Sequence, residues 1–585
     1  MMQCTALGDR SLLLDFSDSA KPLQEIHGLS SELFLLKPQW AMEIIPGLDS
    51  LIIELNFSNA QPAQVRHTAQ VELEKIHSAL IKRKNKNANS TQSHRIQVCY
   101  HPDVAPDLAD IAKACGLSIE TTIQLHKESI YSVDILGFMP GFAYFSGLNP
   151  KLRLPRLPSP RPLVPLGSVA IAELQTAIYP RSTPGGWNLI GRSPDILFDI
   201  AKKQPGLFMP GDKMHIVEIG LDEFNRLIGL HSKESSTPKS TPTENKNQSS
   251  GTITFKQAGA FTTIQDRPRA GLSHWGVGPG GAVDLDALEL ANALVGNPTE
   301  EAGLEITATG PTLLFSEDAC IAWVGATCSC MVDGKRLPGN RPIWIGAGST
   351  LQFLTLNPGM RAILAIGGGI DSPTILGRKG AHMSADIGPK RLTKGDALTL
   401  TNAGLALCSP FLKRLKESAP LPCFPKWQIR SPYTNSKQIN RIYCMPGPHL
   451  SFLTVKDREK FWGTVWVVSK ESNRMGIRLE GDFELKKPLP NIPSQAIHFG
   501  TVQFPPSQQP IVMLSEHQTT GGYPRLAEVI ASEQSKLAQA TPGTRIQFTP
   551  IDIDEADRLN HAARKSHLDT MYAIQSIISC GTKET

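Results

Sequence analysis

The sequence predicts a multi-domain chain, mainly β, opened by an α/β domain. Three observations predict this. Short apolar runs punctuated by Gly and Pro recur from Arg95 to about Ile219, from Gly251 to about Leu400 and from Arg441 to Phe548, the spacing of barrels or sandwiches. Residues 1–95 instead alternate strand-like and helix-like patterns, which suits a small layered domain. Residues 232–250, SKESSTPKSTPTENKNQSS, carry almost no apolar side chains, so they cannot form a core and read as a flexible linker.

In chain order, Ser11–Phe16 reads as a strand and Pro22–Leu36 as a helix. Trp40–Ile45 and Ser50–Leu55 read as strands around the turn Pro46–Asp49. Gln64–Ile81 places Val65, Ala69, Leu73, Ile76 and Leu80 at helical spacing. The domains expected are 1–95 (α/β), 96–230 (β barrel), the linker 231–250, 251–405 (β), a Pro-rich bridge 406–438, 439–550 (β) and a C-terminal helix 551–585. Within them, Pro106–Cys115, Ser118–Glu128 and Val283–Leu294 read as helices, the last stopped by Gly296-Asn297-Pro298. The tail helix, Ile551–Ser579, has Ala556, Leu559, Ala563, Leu568, Met571 and Ile574 or Ile578 as its apolar positions.

At 585 residues the length suits about four ordinary domains. A net charge of +5 is small for that length and gives no argument for nucleic acid or an anionic membrane. Ten scattered cysteines without a CxxC pair fit a reducing compartment. No signal peptide and no membrane-spanning run is readable, so a cytoplasmic protein is expected. There is no GxxxxGK[ST], GxSxG, HExxH or EF-hand loop, so no metal site is expected.

The most informative stretch is Ser515–Pro524, SEHQTTGGYP. An apolar strand, Pro510–Leu514, precedes it, and Arg525–Ile530 reads as a helix start. Gly521 and Gly522 would let a ligand approach the backbone, and Gln518, Thr519 and Thr520 add neutral donors and acceptors. A tight turn that merely caps a helix is the plain alternative. A second copy is readable in the first half: Pro165–Ala172, then Gln175-Thr176, then Gly185-Gly186-Trp187 against Gly521-Gly522-Tyr523, an internal repeat. Gly276–Gly281 satisfies GxGxxG, but its flanks are not βαβ, so a dinucleotide site is rejected. An anion at the following helix start stays open. Phe138–Tyr144, with Pro140 and Gly141, lines a pocket or packs under a loop. His126 lies before it. Arg153, Arg156, Arg161 and Arg474 suit carboxylate or phosphate, or a solvated loop.

The first half resembles the KipI family (the B component of 5-oxoprolinase, also called allophanate hydrolase subunit 1) in His126, GFMPGFAYFSGL, PRLPSPRPLVPLGSVAIA and QTAIYPRSTPGGWNLIGRSP. The second half resembles the KipA family (the C component of 5-oxoprolinase) in Thr263-Ile264-Gln265-Asp266, GPGGAVDLDALELANALVGN, SNRMGIRLEG, GTVQFPP and QPIVMLSEHQTTGGYP. The chain is identified as a fusion of the two. It departs from the second family's pattern in placing Glu516 near the position of an aspartate before Gln-Thr. The resemblance implies cyclophilin-like β barrels, one in the first half and two in the second. It implies ATP-dependent opening of 5-oxoproline to glutamate, with ATP and Mg as cofactors and a separate 5-oxoprolinase protein of the LamB/YcsF family, its A component, as partner. The lactam oxygen would be phosphorylated, which needs positioned cations and N–H donors more than a nucleophile. Biotin is not expected, because no carrier Met-Lys hairpin is present. The alternatives are a biotin-dependent carboxyltransferase acting on a small amide, as in urea carboxylase, or a KipI/KipA-type regulatory binding protein. The expected site lies between the halves, with Gln175, Thr176, Gly185 and Gly186 facing Gln518–Tyr523. Arg161, Arg192 and Arg474 would hold anionic groups, His126 would act as acid/base or orienting group, and Pro140, Gly141, Gln265 and Asp266 would complete the binding surface. A homodimer is left open.

Overall fold

A computed structural model describes residues 2–58, 60–82, 92–235, 251–401, 409–430 and 439–580. Most of the expected linker and part of the bridge therefore lie outside the described residues. The N-terminal domain is an antiparallel sheet in the order Gln3–Leu7, Ser11–Asp15, Ser50–Leu55, Ala41–Pro46. Helices Pro22–Leu36 and Pro62–Lys82 cover one face, and Leu29, Leu33, Ala69 and Leu73 pack on Leu12, Leu14 and Ile53. Helical spacing of those residues makes the stripe that the sheet buries.

Two closed seven-stranded barrels follow the same plan. In chain order the first is built from Ser93–Cys99, Tyr131–Leu136, Ala143–Ser146, Ser168–Ala172, Gln175–Ile178, Asn188–Arg192 and Lys213–Ile219. The second is built from Asn440–Pro446, Trp466–Val468, Gly476–Glu480, Thr501–Gln503, Ile511–Met513, Arg525–Val529 and Arg545–Pro550. Around each barrel the strands run first, sixth, fourth, fifth, third, second, seventh, and in each the first and seventh strands are parallel. The likeness extends to the helices. Ile119–Glu128 and Val455–Gly463 each pack on the seventh strand, and each is capped by a hydroxyl: Thr121 N donates to Ser118 Oγ at 3.1 Å and Asp457 N to Thr454 Oγ1 at 3.2 Å. Each seventh strand then feeds a helix, Leu221–Ser235 or Ile553–Cys580.

The internal repeat is therefore present in the topology, but not in the register read from the sequence. Gly185-Gly186-Trp187 and Gly521-Gly522-Tyr523 both precede a sixth strand, whereas Gln175-Thr176 opens a fifth strand and Gln518-Thr519 follows one. The expected helix at Arg525–Ile530 is also corrected: Arg525–Val529 is a buried strand between the first and fourth strands of its barrel. The Arg525 guanidinium donates to Ala496 O at 3.1 Å and Gln495 Oε1 at 2.9 Å, partners that no local pattern reveals.

The middle block differs from expectation too. It is not a third closed barrel but two facing sheets, one of six strands and one of five. Spacing of short strands does not distinguish a sandwich from a barrel. The strand Ala319–Gly325 of the five-stranded sheet is buried throughout, because Ile321 and Trp323 face the six-stranded sheet while Cys320, Ala322 and Val324 face helices Leu285–Leu294 and Pro410–Ser418 and the C-terminal helix. On that last helix Ala556, Met571, Ile574 and Ile578 are buried, whereas Leu568 stays exposed. The architecture is thus two mixed barrels, a sandwich and a substantial share of helix.

The N-terminal domain docks on the far half of the chain. Asp9 Oδ2 accepts from Ala531 N at 2.7 Å and Asn560 Nδ2 at 2.7 Å, Arg10 donates to Phe499 O at 2.8 Å, and Arg66 pairs with Asp557. No helix among the described residues is long and apolar enough to cross a membrane.

Candidate active site at the junction of three domains

The glycine turn Gly276–Gly281 stands where the first barrel, the sandwich and the second barrel meet. Gly276 (φ 75°) lies so close to Met139 O that a Cβ would overlap it, and Trp275 O accepts from Gly141 N at 3.0 Å. A Cβ on Gly278 would sit 2.5 Å from His517 O, and Gly280 N donates to Ser515 O at 2.9 Å. Glycine is required here because backbone approaches backbone from both sides. The GxGxxG pattern thus reflects a domain junction.

Opposite lies a buried charged network. Arg474 donates to Glu516 Oε1 at 2.7 Å, to Gly281 O at 2.6 Å and to Glu305, whose other oxygen accepts from Val283 N at 2.8 Å. Burial opposes the Arg474 charge, but Glu305 and Glu516 outweigh it and raise its pKa. Burial likewise pushes the Glu516 carboxyl up, and Arg474 and His382 pull it below its ordinary range. Glu516 also accepts from Met383 N at 3.1 Å and Ser384 N at 3.0 Å, which fixes the loop carrying His382.

His382 is 2% exposed, and burial pushes its pKa down to about 4, so the ring is neutral near pH 7. Its Nδ1 accepts from Ala385 N at 3.2 Å, so the proton sits on Nε2, and that buried donor has no partner among the described residues. Arg269 is held by Gly380 O at 2.7 Å through Nη2, while its buried Nη1 is likewise unpartnered among them. Both groups flank Gly280: a Cβ there would lie 2.9 Å from His382 Cδ2 and 3.4 Å from Arg269 Nη1. Thr519 Oγ1, in the neighbouring turn, is buried and unpartnered in the same sense. Orphaned donors of this kind are costly unless an acceptor arrives. An imidazole N–H, a guanidinium N–H and a hydroxyl suit the oxygen of a carboxylate or amide.

The first barrel closes this junction through Thr520. Phe138 N donates to Thr520 Oγ1 at 3.2 Å, from a left-handed φ of 66°, and a Cβ on Gly137 would overlap the Thr520 side chain. The Tyr144 hydroxyl, whose pKa burial raises, interacts with Ser494 and Thr520.

The expected residues divide into three groups. Thr519, Thr520, Arg474, Gly141 and Asp266 stand at or beside the junction, Asp266 Oδ2 accepting from Lys379 N at 2.7 Å behind Arg269. Pro140 belongs to the same Met139–Gly141 loop. Gln265 is fully buried and donates to Thr263 Oγ1 and Ala381 O, both at 3.1 Å. His126 and Thr176 are together, but inside the first barrel. Tyr100 and His126 Nδ1 are 2.7 Å apart, Thr176 donates to Ala170 O at 3.0 Å, and burial pushes the His126 pKa down to about 3. Gln175 faces Asp134 at 3.5 Å, Arg161 pairs with Asp107, and Arg192 donates to Leu166 O at 2.8 Å and lies over Phe224. A Cβ on Gly185 would meet the Tyr179 hydroxyl at 2.5 Å, and one on Gly186 would meet Pro160. The contact of this barrel with the second half runs instead through the Gly137–Gly141 loop and through Arg181, which donates to Ser384 O at 2.9 Å. In the second-barrel turn, Gln518 O bonds His517 Nδ1 at 2.8 Å, Gly521 packs on Gln503, Gly522 O accepts from Ile492 N at 3.0 Å and Tyr523 is 38% exposed.

Sequence reasoning did not single out His382 or Glu305, and Tyr144 entered only as the end of the stretch Phe138–Tyr144. Arg269 was not singled out either; its signal is its place three residues after Gln265-Asp266. Among the described residues no group of three or more His, Cys, Asp or Glu could hold a metal ion.

Comparison with known proteins agrees with this layout. The carboxyltransferase domain, subdomains A and B, matches residues 275–550, and the carboxyltransferase domain, subdomains C and D, matches residues 2–208. The C component of the 5-oxoprolinase of Escherichia coli K12 is 33% identical over 306 residues, 51% of this chain and 91% of that protein. The B component of the 5-oxoprolinase of Bacillus subtilis is 45% identical over 130 residues, 22% of this chain and 54% of that protein. The urea amidolyase of Saccharomyces cerevisiae is 32% identical over 322 residues, 52% of this chain but 17% of that protein. The crystal structure of TTHA0988 superposes with a TM-score of 0.74 at 27% identity, covering 92% of this chain and 99% of that one. The chain belongs to the carboxyltransferase-domain family, as a fusion of domains homologous to the B and C components of 5-oxoprolinase and to urea carboxylase.

Proposed function

We propose that the chain is a group-transfer enzyme that activates a small amide at the three-domain junction, as a carboxyltransferase of the urea-carboxylase type. The observation that carries this reading is the convergence of two unpartnered buried donors, His382 Nε2 and Arg269 Nη1, beside Gly280. His382 lies in the segment matching subdomains A and B, and Arg181, in the segment matching subdomains C and D, donates to Ser384 O at 2.9 Å two residues along from it. Donors fixed in place before the substrate binds stabilise developing negative charge on an oxygen without reorganising. In this reading Arg269 and His382 hold the amide oxygen, Thr519 orients the substrate, and the Met139–Gly141 loop excludes water. The donor set fits a planar carboxyl or amide group. A biotinylated carrier, supplied by another protein, would bring the carboxyl group when bound.

A second reading is favoured by the match to the 5-oxoprolinase C component over 91% of its length, against 17% for urea amidolyase. There the same donors hold the lactam oxygen of 5-oxoproline, ATP with Mg supplies the phosphoryl group, and a separate A component of the LamB/YcsF family completes hydrolysis. One experiment separates the two. The purified chain is assayed for ADP and glutamate with ATP, 5-oxoproline and the LamB/YcsF protein, and in parallel for transfer of labelled carboxyl from a carboxybiotin carrier to urea and related amides. Label transfer supports the carboxyltransferase reading, and ADP with glutamate only in the complete mixture supports the 5-oxoprolinase reading. Silence in both arms with a stable kinase complex would point to a regulatory binding protein.

A further inference from the structure

We propose that the outer face of the second barrel's parallel strand pair is a binding groove for a phosphate-bearing small anion, separate from the junction. Strands Asn440–Pro446 and Arg545–Pro550 lie side by side, with Arg441 opposite Gln547. Ile442, Cys444, Ile546 and Phe548 fill the barrel, so the alternation of a strand turns Arg441, Tyr443, Arg545 and Gln547 outward. With Lys536 from the helix Gln534–Ala538 these residues line a groove of about 700 Å³.

The charges facing this groove are one-sided. Arg441 and Arg545 root on adjacent strands, and among the described residues no carboxylate lines the groove with them. Lys536 lies 5.9 Å from the Tyr443 ring centroid and is bonded to Glu533 at 2.8 and 2.9 Å. From the C-terminal helix, Arg558 reaches toward Tyr443 and is paired with Glu555. These two nearby carboxylates are thus already engaged by Lys536 and Arg558, and among the described residues no carboxylate pairs with either strand arginine. Arg545 stands two residues before Gln547, the partner of Arg441, so the two arginines are diagonal neighbours at a spacing of about 7–8 Å, within reach of long side chains, and their like charges repel. An anion that bridges both guanidinium groups removes that repulsion, and the planar fork of Arg fits phosphate oxygens bidentately.

The test is calorimetric titration of the full chain with sodium pyrophosphate, against sodium sulfate at the same ionic strength. The wild type should bind pyrophosphate, and Arg441→Gln combined with Arg545→Gln should weaken binding at least roughly tenfold. Without ligand the double variant should melt no lower than wild type, and pyrophosphate should raise the melting temperature of the wild type alone. Equal affinity in both proteins, equal binding of sulfate, or no binding by the wild type at millimolar pyrophosphate would each overturn the proposal. Both residues are exposed and lie outside the barrel core, so a misfolded variant is not expected. Circular dichroism of the variant checks this.

Discussion

Glu43 offers a direct test of how the N-terminal domain holds the junction. It is 6% exposed, on the strand Ala41–Pro46, and its carboxylate accepts from Gly271 N and, at 3.4 Å, from Ser273 N, just ahead of the glycine turn. Burial, then the nearby Glu54, raises its pKa from 4.5 to about 7. The folded state therefore holds the proton more tightly than the unfolded state. Stability must fall as pH rises from 4.5 through 7 and level off above it. At 1.36 kcal/mol per unit the full effect is about 3 kcal/mol. Glu43→Gln keeps an acceptor for Gly271 N and removes the titration. Burial of His382 and His517 works in the opposite sense, since both pKa values fall from 6.5 to about 4 and acid favours the unfolded chain. That contribution is common to both proteins and cancels in their difference. Calorimetric unfolding from pH 5 to 8 should show the variant gaining on wild type as pH rises, by a few degrees in Tm. Parallel profiles would refute the assignment of a protonated carboxyl to this interface.

Three further outcomes follow from the geometry. Thr519→Ala with Thr520→Ala should abolish turnover, measured in whichever assay proves positive, while Tm stays within a few degrees. Arg474→Met should destabilise the fold by about 3–5 kcal/mol in denaturant titration, because Glu305 and Glu516 lose a buried partner. His382→Ala should lower kcat by about 10²–10³, and it should also lower Tm, because the buried ring accepts from Ala385 N and packs beside Gly280.

Much of the fold was legible. The helix Pro22–Leu36 was read at its observed bounds, and the caps Ser118 and Asp284 lie within one residue of the starts expected. Each announces itself through local chemistry, whether a helical apolar stripe or a side chain that accepts from the first turn. Arg525–Val529 misled because Pro followed by Arg-Leu-Ala-Glu-Val satisfies a helix start locally, while its hydrogen bonds lie with Cys444 and Thr501–Gln503, distant in sequence. The site was half legible. Thr519, Thr520 and Asp266 stood in glycine-rich or polar motifs. His126 and Thr176 also looked reactive, yet Thr176 points into a barrel, where strand alternation cannot say which face is inside until the barrel closes, and His126 is buried against it from the helix Ile119–Glu128.

The sequence by itself determined the fusion of two components and the family. These rest on ordered motifs, which act over short separations. Only the tertiary structure decided that the middle block is a sandwich, that the N-terminal domain reaches across to Ala531, Asn560 and Asp557, that His382 and Arg269 flank Gly280, and that Gly137 and Phe138 meet Thr520 beside the same glycine turn. Those contacts join residues hundreds of positions apart, and what selects them is the burial of charge pairs and the close approach of backbones when the domains dock.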